Sequence, residues 1–262
     1  MLDAAKQRPK GEGQDGPSHT NFQKASSLAA EGDLAPMTNK ICLLFMLRAP
    51  LHGKVKTRLA REVGHDAALA LYKAFVEDML DSLDGCGADI AFFVEPGEGI
   101  GEMRAWLGDG RVYVPQCHGN LGDRMRAAFE WAFGAEYTAA ACIGSDIAVL
   151  SHWHAKSLVR LMRSEPALIG PSPDGGYWTI GFGRKSYLPQ AFESMPWSTP
   201  ELFGITMGVM QPLQPATLPE LADIDTLEDL RALVRARPAG VARRTLAVAG
   251  ALLGQEPFKD QS

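Results

Sequence analysis

Only four cysteines occur in 262 residues, at positions 42, 86, 117 and 142, and no two form a Cys-x-x-Cys pair. Two of them, Cys42 and Cys142, lie inside apolar runs, where a free thiol behaves as a small hydrophobe. This pattern fits a reducing compartment better than a disulfide framework. No apolar run approaches the ~18 residues that cross a bilayer, so a transmembrane segment is not expected. The amino-terminal stretch has no signal-peptide core, and the expected location is cytoplasmic. Basic residues are in slight deficit, 26 against 31 acidic, for a formal net charge of -5. A nucleic-acid partner, which calls for a basic face, is not expected.

Several catalytic signatures are missing too. A Walker A loop would need glycine at 48 and Ser or Thr at 55, where the chain has Arg48 and Val55; this excludes P-loop kinase chemistry. There is no G-x-S-x-G elbow and no H-E-x-x-H pair, and His152-x-His154 lacks further ligands at zinc spacing. No internal repeat is present. What remains is 46% hydrophobic and 22% charged, enough chain for one large domain or two small ones with a core that needs no staples.

Residues 1–39 are rich in Gly, Ser, Lys and Gln and read as a flexible tail. After them strand and helix patterns alternate. Apolar strand runs are expected at Ile41–Leu47, Ile90–Val94, Val112–Val114, the first six residues of Thr138–Ala148, and Ala167–Gly170. Helices are expected at His65–Leu83, Ile100–Leu107, Leu121–Phe133, Trp153–Arg163, Pro200–Met210 and Leu227–Arg237, with a short one inside the loop after the first strand. Asp174-Gly175-Gly176 beside an alternating aromatic run signals a hairpin. The pattern predicts an α/β sandwich with a mostly parallel mixed sheet. A last apolar helix, Val241–Leu253 within residues 239–262, is either docked on the body or held at a homodimer contact.

The central stretch is Thr138–Ala148, in which six small or apolar residues are followed by Gly144-Ser145-Asp146. Open α/β sheets hold ligands at the carboxyl ends of such strands. Asp146 there either caps the following loop or holds a metal ion against phosphate oxygens. The loop after the first strand carries Arg48, Lys54, Lys56, Arg58 and Arg61 around Gly53, with only Glu62 to balance them. It reads as a phosphate site, or else as a solvated basic face. In the stretch 116–124, Gly119 and Gly122 allow close backbone approach to a ligand, while Asn120 and Asp123 also fit a helix cap. Thr226 and Asp229 form a capping box, which leaves Asp223 and Asp225. Two residues apart in extended chain, these point the same way, and their like charges call for a cation or a helix N-terminus. Asp174 either closes a tight turn or bonds a sugar hydroxyl. Trp197 either stacks on a ring or belongs to the core.

Taken in order, GKVKTRLAREVG, HGNLGDRM, IGSD, GPSPDGGYWTIG, PWST and DIDTLEDL, spread over about 40–233, resemble a bacterial group of GT-A-fold glycosyltransferases. That group includes proteins assigned to arsenosugar biosynthesis and is related to guanylyltransferases and CMP-KDO synthetase. The resemblance implies a Rossmann-like three-layer nucleotide-diphospho-sugar transferase domain over residues 40–238. It implies nucleotide and phosphate contacts from Arg48, Lys54, Lys56, Thr57, Arg58, Gln116, Gly119, Asn120, Leu121, Gly122, Arg124 and Ser145, with Gln116 against the base. It implies Mg²⁺ or Mn²⁺ on Asp146 and Asp225. From the residues themselves, Asp146 and Asp174 are expected to be catalytic, and Gly175, Gly176, Tyr177 and Trp197 to contact the sugar or acceptor. The group follows its aspartate with Cys-Pro, whereas this chain has Ile147-Ala148, so the rigid turn that would aim the carboxylate is absent.

The reaction implied is metal-dependent transfer of a sugar from a nucleotide-diphospho-sugar to a small-molecule acceptor. Two alternatives stay open. One is a guanylyltransferase-like nucleotidyl transfer to a sugar phosphate or phospho-acid. The other is a non-catalytic nucleotide-binding protein of the same fold.

Overall fold

The computed structural model describes residues 40–254. The expected flexible tail at 1–39 lies outside the described residues, as does the chain beyond 254. Among the described residues seven strands, β1 (Ile41–Arg48), β2 (Asp89–Glu95), β3 (Val112–Pro115), β4 (Ala139–Ile143), β5 (Ala167–Pro171), β6 (Tyr177–Gly183) and β7 (Ala216–Thr217), form one sheet in the order β3-β2-β1-β4-β6-β5-β7. β6 pairs antiparallel with both β4 and β5, and the other four pairings are parallel. The fold is thus α/β with a mostly parallel mixed sheet. β6 enters through the hairpin that the Asp-Gly-Gly turn signals.

Among the described residues eight helices accompany the sheet: α1 (Thr57–Val63), α2 (His65–Leu83), α3 (Ile100–Leu107), α4 (Leu121–Gly134), α5 (His152–Ser164), α6 (Leu202–Met210), α7 (Leu227–Ala236) and α8 (Arg243–Leu252). Side chains alternate across a strand, and β1 serves both faces of the sheet accordingly. Ile41, Leu43, Phe45 and Leu47 pack with Val76 and Met79 of α2, Met103 of α3 and Leu158 of α5. Cys42 and Leu44 face the opposite way, onto Met125 and Phe129 of α4 and Met210 of α6. These are the three layers. A third cluster joins Leu59 of α1, Leu71 and Phe75 of α2, and Leu230 and Leu233 of α7 to Ala249 of α8.

The carboxylate of Asp78 holds α8 to α2. The N-cap of α8, Ala242, offers no side-chain cap, so the first-turn N–H groups of Arg244 and Thr245 donate instead to Asp78, at 3.0 and 2.9 Å. The last apolar helix therefore docks on the body.

Candidate active site

From β1 the chain steps outward to β2 and β3, then returns to place β4 on the other side of β1. This reversal opens a crevice at the carboxyl ends of the strands, where open α/β sheets hold ligands. A cavity of about 450 Å³ lies there. Arg48, Lys54, Lys56, Thr57 and Arg58 line it from the loop after β1 and the start of α1. Gln116 comes from the loop before α4 and Leu121 and Arg124 from its first turn, Ser145 and Asp146 from just after β4, and Asp225 from the segment before α7. Sequence segments as far apart as 48 and 225 thus meet at one opening.

Three carboxylates converge at its edge. Oxygens of Asp146, Asp223 and Asp225 lie within 4.8 Å of one another. Asp146 is aimed without the Cys-Pro turn: its backbone carbonyl accepts from the N–H of Ile224, 3.1 Å away, between the other two aspartates. Ile147, Ala148 and Ile224 are buried behind it. Asp225 is held from the far side, because Oδ2 of Asp229 accepts from its N–H at 3.1 Å while closing the capping box on Thr226.

Lys56 enters this triad directly. Its Nζ donates to Asp146 Oδ2 at 3.1 Å and to Asp225 Oδ1 at 2.8 Å. Arg58 adds a longer contact to Asp225, at 3.3 Å. Burial opposes the charge on Lys56, but Asp146 and Asp225 outweigh it and hold the ammonium above the ordinary lysine value. Asp223 responds oppositely: burial, then the charges of Asp146 and Asp225, push its carboxyl up to about 6.

Two contributors escaped the sequence reading. Tyr72 sits in the apolar stripe of α2, where nothing separates it from an ordinary core residue, yet its hydroxyl reaches the cavity and bonds the backbone of Arg48. Glu95, opposite Arg48 in the β1–β2 register, places Oε2 3.5 Å from Arg48 and 3.6 Å from Arg124. That oxygen is buried and has no hydrogen bond, since contacts of this length are ion pairs only. A strand-end carboxylate beside a basic loop was the available signal.

Other expected contacts have local partners. The Gln116 amide lines the cavity but donates to the carbonyls of Leu47 and Phe93, at 3.2 and 2.8 Å, tying β1 to β2. Asn120 caps α4 reciprocally with Asp123, and Arg124 also bonds the Gly119 carbonyl. Gly122 is required by packing, since a Cβ there would fall 2.3 Å from the Phe192 carbonyl and 2.7 Å from the Trp197 ring. Gly119, Asn120 and Gly122 are not among the residues lining the cavity.

Asp174, Gly175 and Gly176 do not line it either. Exposed Asp174 accepts from the Ser172 hydroxyl and the Gly176 N–H. Gly175, at φ 85°, passes so close to Pro200 that a Cβ would meet its carbonyl at 2.2 Å. Tyr177 and Trp197 line a second, apolar cavity of about 130 Å³, which shares Met46, Leu121 and Gly144 with the first.

The family model DUF2064, described as an uncharacterized protein conserved in bacteria, matches residues 80–199. No curated protein matches the chain. Among solved structures, a protein of Desulfovibrio desulfuricans G20, provisionally assigned as a nucleotide-diphospho-sugar transferase, is 33% identical, with a TM-score of 0.78. The match covers 85% of this chain and 100% of that one. The 4-diphosphocytidyl-2C-methyl-D-erythritol synthase of Anaerococcus prevotii DSM 20548 is 11% identical over 76% of this chain and 97% of its own, with a TM-score of 0.51. Rv0371c of Mycobacterium tuberculosis H37Rv is 14% identical over 76% and 100%, with a TM-score of 0.50. The last two share the fold alone.

Proposed function

The chain belongs to the same family as the Desulfovibrio protein, and on this premise we propose that it is a transferase that binds a nucleotide-diphospho-sugar and passes the sugar to a small acceptor. The observation that carries this reading is the meeting of opposite charges across one cavity. Arg48, Lys54, Lys56, Arg58 and Arg124 line it, and Asp146 and Asp225 stand at its edge. Cations alone would suit any anion. Cations beside a convergent carboxylate set suit a diphosphate that arrives with a divalent ion.

The carboxylates fit Mg²⁺ or Mn²⁺. Their oxygens are the hard donors such ions take, and those of all three aspartates lie close enough together to share one ion. Asp146 and Asp225, with Asp223 beside them, would hold the ion. When bound it supplies Lewis-acid stabilisation of charge on the diphosphate leaving group. The chain's own part is electrostatic and positional. Arg48, Lys54 and Arg58 orient the diphosphate and stabilise the charge that builds on it as the anomeric bond breaks. Glu95 fixes Arg48 and Arg124 relative to each other. Asp174 would orient a hydroxyl of the sugar or acceptor, and Tyr177 and Trp197 offer an apolar wall next to the main cavity.

Nucleotidyl transfer is the second reading, and the five cationic side chains favour it to the extent that they would also balance a triphosphate. Thermal unfolding against nucleoside di- and triphosphates and nucleotide sugars, with Mn²⁺ and with chelator, separates the two. A ligand at ~100 times its dissociation constant adds about 2.7 kcal/mol. Stabilisation by one nucleotide-diphospho-sugar only with metal, abolished in Asp146→Ala, supports glycosyl transfer. A preference for triphosphates moves the assignment to nucleotidyl transfer, and no shift with any nucleotide sinks both.

A further inference from the structure

Among the basic residues of the first loop, Lys56 is set apart. Its side chain is 7% exposed, while those of Arg48 and Arg58 are 60% and 69% exposed. It stands just before α1 with φ 43° and ψ 47°, a left-handed conformation that a side chain rarely adopts. Its ammonium is 5.7 Å from the centre of the Phe75 ring and bonds two aspartates of the triad. It therefore stands where the carboxylate oxygens of Asp146 and Asp225 converge, and a divalent ion taken by the same oxygens competes with it for them. Both cations cannot hold the same lone pairs.

We propose that Lys56 is the resident cation of the Asp146–Asp225 pair and that a divalent ion binds there only by displacing it. A displaced ammonium left buried without a partner is strongly unfavourable, so the ion alone binds weakly. The diphosphate assigned to the adjoining cavity gives that ammonium a new anionic partner, and ion and diphosphate therefore favour each other's binding reciprocally. This coupling rests on the proposed function, whereas the competition between Lys56 and the ion does not.

The test is Mn²⁺ binding to the full chain, read from the electron paramagnetic resonance signal of free Mn²⁺, without nucleotide. Lys56→Met, which keeps an unbranched apolar stem, is expected to bind Mn²⁺ at least about tenfold more tightly than the unaltered protein. Asp146→Asn in the same background should remove the gain, and Lys56→Arg, which keeps the charge, should not show it. Equal or weaker binding by Lys56→Met overturns the proposal. A measurement on the unaltered protein covers the case in which Lys56→Met does not fold. With lysine labelled at Cε, the Lys56 resonance, identified from its loss in Lys56→Arg, should move in step with Mg²⁺ occupancy, and a resonance that stays fixed through saturation overturns the proposal. Adding UDP, GDP or CDP then tests the other half. If none raises the Mn²⁺ affinity of the unaltered protein while Lys56→Met still binds more tightly, the proposed function fails and the competition stands.

Discussion

The hydroxyl of Tyr72 clasps the backbone of Arg48, accepting from its N–H at 2.9 Å and donating to its carbonyl at 2.8 Å. Arg48 is the last residue of β1 and the first of the basic loop, so a buried helix residue fixes where the loop departs from the sheet. In Tyr72→Phe the ring stays and both Arg48 groups lose a partner. The expected cost is about 1–3 kcal/mol in urea unfolding. Nucleotide affinity should fall as well, beyond what an equally destabilising variant remote from the cavity shows. An unchanged thermal shift with nucleotide would mean that the departure of the loop does not matter to binding.

Tyr72 also illustrates what could be read from the chain and what could not. The helices His65–Leu83 and Ile100–Leu107 have the expected bounds, because their apolar spacing and terminal glycines are local signals. β4 is likewise buried along its whole length, as an unbroken apolar run implies. The candidate site was legible as separate blocks, since a glycine-containing loop, a strand-end aspartate and a capping box each carry their own pattern. Their mutual geometry was not. Lys56 reaches carboxylates 90 and 169 residues further along the chain, and no spacing rule extends that far. Nor could the sequence indicate that Ile224 aims Asp146 in place of the missing Cys-Pro turn. Gly122 shows the converse ambiguity: a glycine required for packing against Phe192 and Trp197 looks, in sequence, like one that makes room for a ligand.

Asp78 gives a test of how the carboxyl-terminal helix is held. The carboxylate is 5% exposed and accepts from the N–H groups of Arg244 and Thr245 and from the Thr245 hydroxyl, at 2.8 Å for the last. It is a helix cap supplied by another helix. Asp78→Ala should lower stability by about 2–3 kcal/mol, more than a surface cap, because the donors left behind are partly buried. Amide exchange in the first turn of α8 should accelerate more than exchange in β1 and β4. Uniform acceleration would show that α8 is no more weakly held than the sheet.

His154 predicts a pH dependence. It takes the third position of the capping box that opens α5, where Nδ1 accepts from the Ser151 N–H at 3.1 Å, so the bonded ring is neutral. Burial holds its pKa below the ordinary value of 6.5. A base with a lowered folded-state pKa stabilises the fold above its unfolded pKa, and that contribution is lost as pH falls through the folded value. In unfolding measured from pH 8 to pH 5, His154 should therefore contribute a loss of about 0.5–1 kcal/mol, the size of a cap, set against the opposite contribution of Asp223, whose raised carboxyl favours the fold as pH falls. The loss should be smaller in His154→Gln, which keeps an acceptor but does not titrate. Equal pH dependence in both would remove His154 as its source.

Asp146 and Asp174 should separate binding from turnover. Asp146 stands in the triad and contacts Lys56 at 3.1 Å, so Asp146→Asn alters the charge balance where the diphosphate and its ion are expected. Both nucleotide affinity with Mn²⁺ and turnover should drop, the latter by about 10²-fold or more, as for the loss of one electrostatic contact to a developing charge. Asp174 lies outside the cavity lining and makes its bonds within its own turn. If it orients the sugar or acceptor, Asp174→Ala should lower turnover with little change in nucleotide binding. Removing the acceptor at Gly176 N–H could also loosen the turn, so Asp174→Asn, which keeps an acceptor oxygen, is the necessary companion. Should Asn restore turnover, the turn alone accounts for the alanine defect. Should both variants lose turnover and keep nucleotide binding, the carboxylate itself acts on the sugar or acceptor. Parallel losses of binding and turnover in both would remove Asp174 from that role.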